Sequence, residues 1–149
     1  MKTERSISGA RNSCLEWKKL GYRVGLVPTM GFFHAGHLAL MHRARELADR
    51  VVVSLFVNPA QFGPNEDVAR YPRDLEGDLQ KAAAAEVDLV FCPEAGQVYG
   101  PGHQTSVSVK PLSQGFCGRD RPGHFRGVTT IVAKLFNIIQ PDYALFGEK

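Results

Sequence analysis

Short, dense apolar runs alternate with longer segments of helical spacing along this chain. Residues 9–20 carry Ala10, Cys14, Trp17 and Leu20 among polar neighbours, the spacing of a first helix that Gly21 ends. Residues 23–27, Arg-Val-Gly-Leu-Val, read as a short buried strand, and the apolar spacing after it predicts a helix near 37–49. Residues 50–57 are nearly continuously apolar and rich in β-branched side chains. That pattern belongs to a strand buried on both faces, as in a parallel sheet covered by helices. Asp74 stands at the N-cap of a helix predicted to run through Glu86, and residues 87–92 form a third strand closed by Pro93. Residues 104–110 alternate like a strand with one wet face. Val128, Ile131, Val132, Leu135, Phe136 and Ile139 fall at helical spacing, Pro141 ends that helix, and residues 143–146 read as a last strand. The alternation of strand and helix predicts an α/β fold, a Rossmann-like parallel sheet with helices on both faces.

Two stretches between these elements draw attention. Residues 28–37, Pro-Thr-Met-Gly-Phe-Phe-His-Ala-Gly-His, join the first predicted strand to the helix after it. A strand that turns through Gly31 and Gly36 into a helix gathers backbone N–H groups and a positive dipole end at one spot, which suits a phosphate. Gly36 keeps the backbone open to a ligand. Residues 58–73, crowded with Pro, Gly and Asn, form a long loop leaving the carboxyl end of the second strand, where open α/β sheets bind their ligands.

Composition changes this picture little. The chain has 149 residues, 44% of them apolar and 22% charged, enough for one domain with a sizeable core. Its formal charge of +3 is mild and no run of five like charges occurs, so the basicity fits an anionic substrate or solvated surface lysines and does not single out nucleic acid. Cys14, Cys92 and Cys117 make neither a C-x-x-C pair nor a pattern with histidine and are read as reduced thiols of a cytosolic protein. The N-terminus lacks an apolar leader and no apolar run approaches ~18 residues, so a soluble, cytoplasmic protein without a membrane partner is expected. The end at Phe146-Gly-Glu-Lys149, straight after an apolar run, is read as a cut in mid-fold.

The candidate chemistry leaves alternatives open. His34 and His37 are candidate phosphate ligands, a metal pair, or surface histidines at a helix start; the metal reading lacks a third ligand at suitable spacing. His42, a turn further on, reads as a solvated helix residue. Asn58 and Gln61 offer neutral amides that can orient a hydroxy acid, or are turn residues. Arg119, Arg121, His124 and Arg126 form either an anion-binding loop or a solvated basic one. Asp78 is either an exposed helix carboxylate or a group that holds Mg2+ by way of phosphates. Lys149 is within reach of a phosphate, or is a mobile end. No Ser/His/Asp or Cys/His nucleophile, P-loop or G-x-G-x-x-G pattern is present.

Taken together, Pro28-Thr-Met-Gly with His34-x-Gly-His37, residues 56–63 (Phe-Val-Asn-Pro-Ala-Gln-Phe-Gly), Tyr71-Pro-Arg73, residues 121–127 (Arg-Pro-Gly-His-Phe-Arg-Gly), Lys134-Leu-Phe136 and residues 146–149 resemble the pantothenate synthetase (pantoate–β-alanine ligase, AMP-forming) family. That family belongs to the H-x-G-H nucleotidyltransferases, whose sheet is of the HUP type. H-x-G-H alone is weak, but the ordered set covers nearly the whole chain. The resemblance implies a homodimeric enzyme that joins pantoate to β-alanine, through a pantoyl adenylate, with ATP as substrate and Mg2+ as its companion. It implies His34, His37 and Lys149 as catalytic, with Met30, Gly36, His37, Gly147 and Lys149 at ATP. Met30, Gln61, Asn58 and Arg121 would serve pantoate, Tyr71 loop closure and Asp78 the metal. Other H-x-G-H nucleotidyltransferases, or a nucleotide-binding and dimerisation module without turnover, are the competing readings. Two departures stand out. Phe32-Phe33 replaces the family's usual Ala-Leu and Ala35 its usual Glu. The family's later phosphate loop and C-terminal lid domain are absent from these 149 residues, which would form the N-terminal nucleotide- and pantoate-binding domain.

Overall fold

The computed structural model describes residues 1–63 and 66–148. Five parallel strands form one sheet: β1 (Lys2–Glu4), β2 (Val24–Thr29), β3 (Arg50–Leu55), β4 (Leu89–Phe91) and β5 (Tyr143–Ala144), in the order β1-β4-β3-β2-β5. The register sets Leu26 against Val52 and Val52 against Leu89 across the centre. Because successive strand side chains point to opposite faces, each of the central strands β2, β3 and β4 serves two cores. Leu26, Val52 and Leu89 pack against α1 (Ile7–Lys19) and the long helix α6 (His124–Ile139) through Cys14, Ile131, Leu135 and Ile139. Val27, Val51, Val53 and Val90 face α2 (Ala35–Leu47) and α3 (Leu75–Ala84) through Met41, Ala44 and Ala82. Val51, Val52 and Val53 are all fully buried, which accounts for their unbroken apolar run. The α/β sheet with helices on both faces is the fold expected.

Two expectations are corrected. Residues 104–110 are not a strand: residues 103–109 have no regular structure and lie exposed. Hydroxyls of α6 take the backbone groups that a neighbouring strand would have taken. The Val107 N–H donates to Thr130 Oγ1 at 3.0 Å, and Thr129 Oγ1 donates to Val107 O at 2.7 Å. In the other direction, the edge strand β1 pairs with β4 although Lys-Thr-Glu carries no apolar signal. Helix α6 also begins at His124, before the apolar spacing starts, and short helices α4 (Ala95–Val98) and α5 (Cys117–Asp120) lie between the predicted elements.

The parallel strands end along one edge, and the N-termini of α2, α3 and α6 return to that same edge. The loops after β2, β3 and β4 therefore meet there, as they do in open α/β sheets that bind ligands.

Candidate active site

The turn after β2 is shaped by backbone geometry. Thr29 is anchored by its hydroxyl donating to Ser54 O at 2.7 Å, and Thr29 Oγ1 in turn accepts the Gly31 N–H at 3.2 Å. Gly31 (φ 86°) and Phe32 (φ 55°) then both take the left-handed conformation, which for a bulky residue is uncommon and strained. Phe33 is buried, its ring centroid 5.6 Å from that of His37, while Phe32 is 52% exposed on the cleft wall. Phe32-Phe33 thus fills an interior position with one ring and leaves the other on the cleft wall.

His34 is the N-cap of α2. Its Nδ1 accepts the Gly36 N–H at 3.1 Å, and the His34 N–H reaches His37 Nδ1 at 3.4 Å, so the two histidines make a reciprocal capping box with ring centroids 4.1 Å apart. An Nδ1 that accepts a hydrogen bond leaves the proton of a neutral imidazole on Nε2. Both rings are thereby set as Nε2–H donors beside the positive end of a 13-residue helix. His42 is exposed further along the helix.

The loop after β3 opens with a 3-10 turn at Pro59–Gln61. Asn58 is almost fully buried and saturated: Nδ2 donates to Gln61 Oε1 and Gly127 O, both at 3.1 Å, while Oδ1 accepts from Ala60 N–H and from the Tyr99 hydroxyl. Its amide is committed to scaffolding. The bond to Oε1 fixes which end of Gln61 is the acceptor, so Nε2, with two donors, is the end left for a ligand. Gly127 lets α6 approach this turn, since a Cβ there would lie 2.1 Å from Ala60 O.

Arg121 and His124 complete the support. Arg121 pairs with Glu66 through Nε–Oε1 at 2.7 Å and Nη2–Oε2 at 3.0 Å, and also donates to Gln61 O at 3.3 Å. Guanidinium only donates, so the 3.4 Å contact from Arg121 Nη1 makes His124 Nε2 an acceptor, and His124 Nδ1–H donates to Gln61 O at 2.9 Å. Arg121, followed by the Gly63 N–H, holds the Glu66 carboxyl below its ordinary range. Arg119 pairs instead with Asp120 and Arg126 is exposed, so of the four anion-binding candidates Arg121 and His124 reach the Gln61 turn. Tyr71 meets Phe62 edge-to-face at 5.9 Å. Burial, then the charge of Asp78, raises its phenol, which stays a protonated donor.

A cleft of about 370 Å³ opens at the strand ends, with Met30, Phe32, Phe56, Pro59, Arg73 and Cys92 among its walls. Asp78 borders it too, but both its oxygens accept backbone N–H groups, at 2.7 Å from Phe32 and 2.6 Å from Phe33. His34, His37 and Gln61 do not line this cleft. Gly147 follows β5 in open surroundings, and Lys149 lies outside the described residues. Among the described residues no group of three His, Cys, Asp or Glu side chains fits a metal ion. The donor set of the described residues therefore does not suit a metal held by protein side chains alone. Glu66, Gly127 and Lys81 went unread in the sequence; a Gly between Arg and an apolar helix, and Asp78 with Lys81 at i, i+3 of one helix, were the available signals.

Comparison with known proteins agrees with this geometry. The family profile described as Pantoate-beta-alanine ligase matches residues 2–149. The pantothenate synthetase of Moorella thermoacetica is 54% identical over 149 residues, all of this chain and 53% of the relative. That of Heliobacterium modesticaldum is 58% identical over 134 residues, 90% of this chain and 48% of the relative. The crystal structure of pantoate-β-alanine ligase from Thermus thermophilus superposes with a TM-score of 0.94 at 49% identity, covering 100% of this chain and 52% of that one. The Francisella tularensis enzyme, solved with Beta-gamma ATP and β-alanine, gives 0.90 at 36% identity, covering 97% of this chain and 55% of its own. The chain spans about half the length of the curated relatives it matches. The match along residues 2–149, together with the shared fold, places the chain in the pantoate–β-alanine ligase family.

Proposed function

We propose that this chain is the N-terminal, nucleotide- and pantoate-binding domain of a ligase that condenses pantoate with β-alanine through a pantoyl adenylate, releasing pyrophosphate and AMP. The observation that carries the reading is the reciprocal cap of His34 and His37, which holds both rings at the N-terminus of α2. The Francisella tularensis relative, solved with Beta-gamma ATP and β-alanine, supports the substrate classes.

The first step needs no general base, because a carboxylate is already ionised at neutral pH. It needs alignment, and relief of charge building on the phosphates. His34, His37 and the N-terminus of α2 supply donors for that charge, with Met30, Gly36 and Gly147 at the nucleotide and Lys149 reaching a phosphate. Gln61 orients the small hydroxy acid; Asn58 and Arg121 act by fixing Gln61. The 58–73 loop, with Tyr71, shields the adenylate from water. Mg2+ enters with the phosphates of ATP in this reading. A C-terminal lid would complete the site, and a cytoplasmic homodimer is the expected setting. No described helix is long and apolar enough to cross a membrane.

In the natural gene product, His34→Ala or His37→Ala should slow pantoate-dependent pyrophosphate release by at least ~2 kcal/mol, the scale of one lost preorganised donor. Near-normal release by either variant sinks its assignment. The half-length match also keeps a binding module in view: the 149-residue chain alone is expected to bind nucleotide with little or no AMP release, and turnover by it would refute the module.

A further inference from the structure

Asp78 is the one charged side chain among the buried polar residues described, 1% exposed. Burying a carboxylate is unfavourable unless hydrogen bonds replace its water. Here Oδ2 accepts the Phe32 N–H and Oδ1 the Phe33 N–H. One turn further along α3, Lys81 Nζ donates to Phe33 O at 3.0 Å. Two side chains at i, i+3 thus seize three backbone groups of two adjacent residues. Those residues are where restraint is needed, because Gly31 and Phe32 are consecutive left-handed residues and Phe32 adopts that conformation only under constraint. Gly31 is confined from the same side, since a Cβ would lie 3.0 Å from Asp78 Oδ2. The next residue after the gripped pair is His34, whose position as N-cap determines where both histidines point.

We propose that Asp78 and Lys81 form a clamp that holds the turn and thereby positions His34 and His37, and that Asp78 is a positioning residue and not a metal ligand. A magnesium ion keeps much of its octahedral water shell, and a carboxylate 1% exposed with an N–H on each oxygen has no room for it. The clamp stands on geometry alone; only the identity of the ligand served by the histidines rests on the function proposed above.

Amide hydrogen exchange and ATP binding, each in EDTA and in Mg2+, test it. In the wild-type chain the Phe32 and Phe33 amides should be protected equally in both media. In Asp78→Asn they should exchange at least ~10-fold faster, as for a lost hydrogen bond to a charged group, while Val52 and Val53 keep their protection. ATP affinity should fall by the same factor in EDTA as in Mg2+. Lys81→Met should loosen the same turn without touching the sheet. Protection that appears only with Mg2+, or an Asp78→Asn defect in ATP binding confined to Mg2+, overturns the proposal. Should Asp78→Asn fail to fold, the wild-type comparison and Lys81→Met still decide. Wild-type chain that binds no ATP removes the nucleotide reading, while the exchange data continue to judge the clamp.

Discussion

At the scale of single residues, His34 has two separable jobs. Its Nδ1 caps α2 and its Nε2–H faces outward as a donor. Asparagine is a good N-cap but has no donor at the Nε2 position. His34→Ala should therefore lose about 1 kcal/mol of stability in urea unfolding, and His34→Asn should recover most of it. Neither should recover pyrophosphate release. Recovery of both by asparagine would make His34 a cap and nothing more. Gly127 is a second case. A Cβ 2.1 Å from Ala60 O cannot be accommodated without moving α6 or the Gln61 turn. Gly127→Ala should cost ~1–3 kcal/mol, the range of overpacking in a core, and a variant as stable as wild type would show that the close approach is dispensable. The places of the histidines at a helix start and of Gln61 just past a strand were legible in the sequence, because turn glycines and strand ends announce them. Asp78 was not, because an acidic residue early in a helix reads as exposed, and nothing local says that a loop 45 residues upstream will close over it.

At the scale of elements, the Glu66–Arg121 pair ties the loop after β3 to the segment before α6. The sign of its pH dependence follows from Glu66, whose carboxyl is held low by Arg121. The latch is complete above the ordinary glutamate value of ~4.3 and is released as pH falls through the lower folded value. Amide protection at Gly63, whose N–H donates to Glu66, should be flat from neutral pH down to that region and decline only below it. A decline centred near neutrality would contradict that assignment. Elements whose burial is two-sided were readable from their unbroken apolar runs, β3 most clearly. Those stabilised by neighbours were not: β1 is polar and takes its order from β4, while the Val107 segment looks like a strand and is held by two threonine hydroxyls of α6.

At the scale of the whole molecule, one sheet edge collects a histidine-capped helix, a fixed amide and a latched loop, and the chain covers about half of its relatives. The alternation of elements made the fold legible, and the ordered motifs made the family legible. The orientation of each side chain at that edge was not, because contacts across 45 to 69 residues of sequence determine it. The central claim is that these parts activate a carboxylate before an amine arrives. It is tested by following pyrophosphate and AMP separately in the natural gene product with Mg-ATP. The prediction is pyrophosphate release on adding pantoate alone, with AMP appearing only after β-alanine. Pyrophosphate release that ignores pantoate, or AMP that requires no amine, would contradict it.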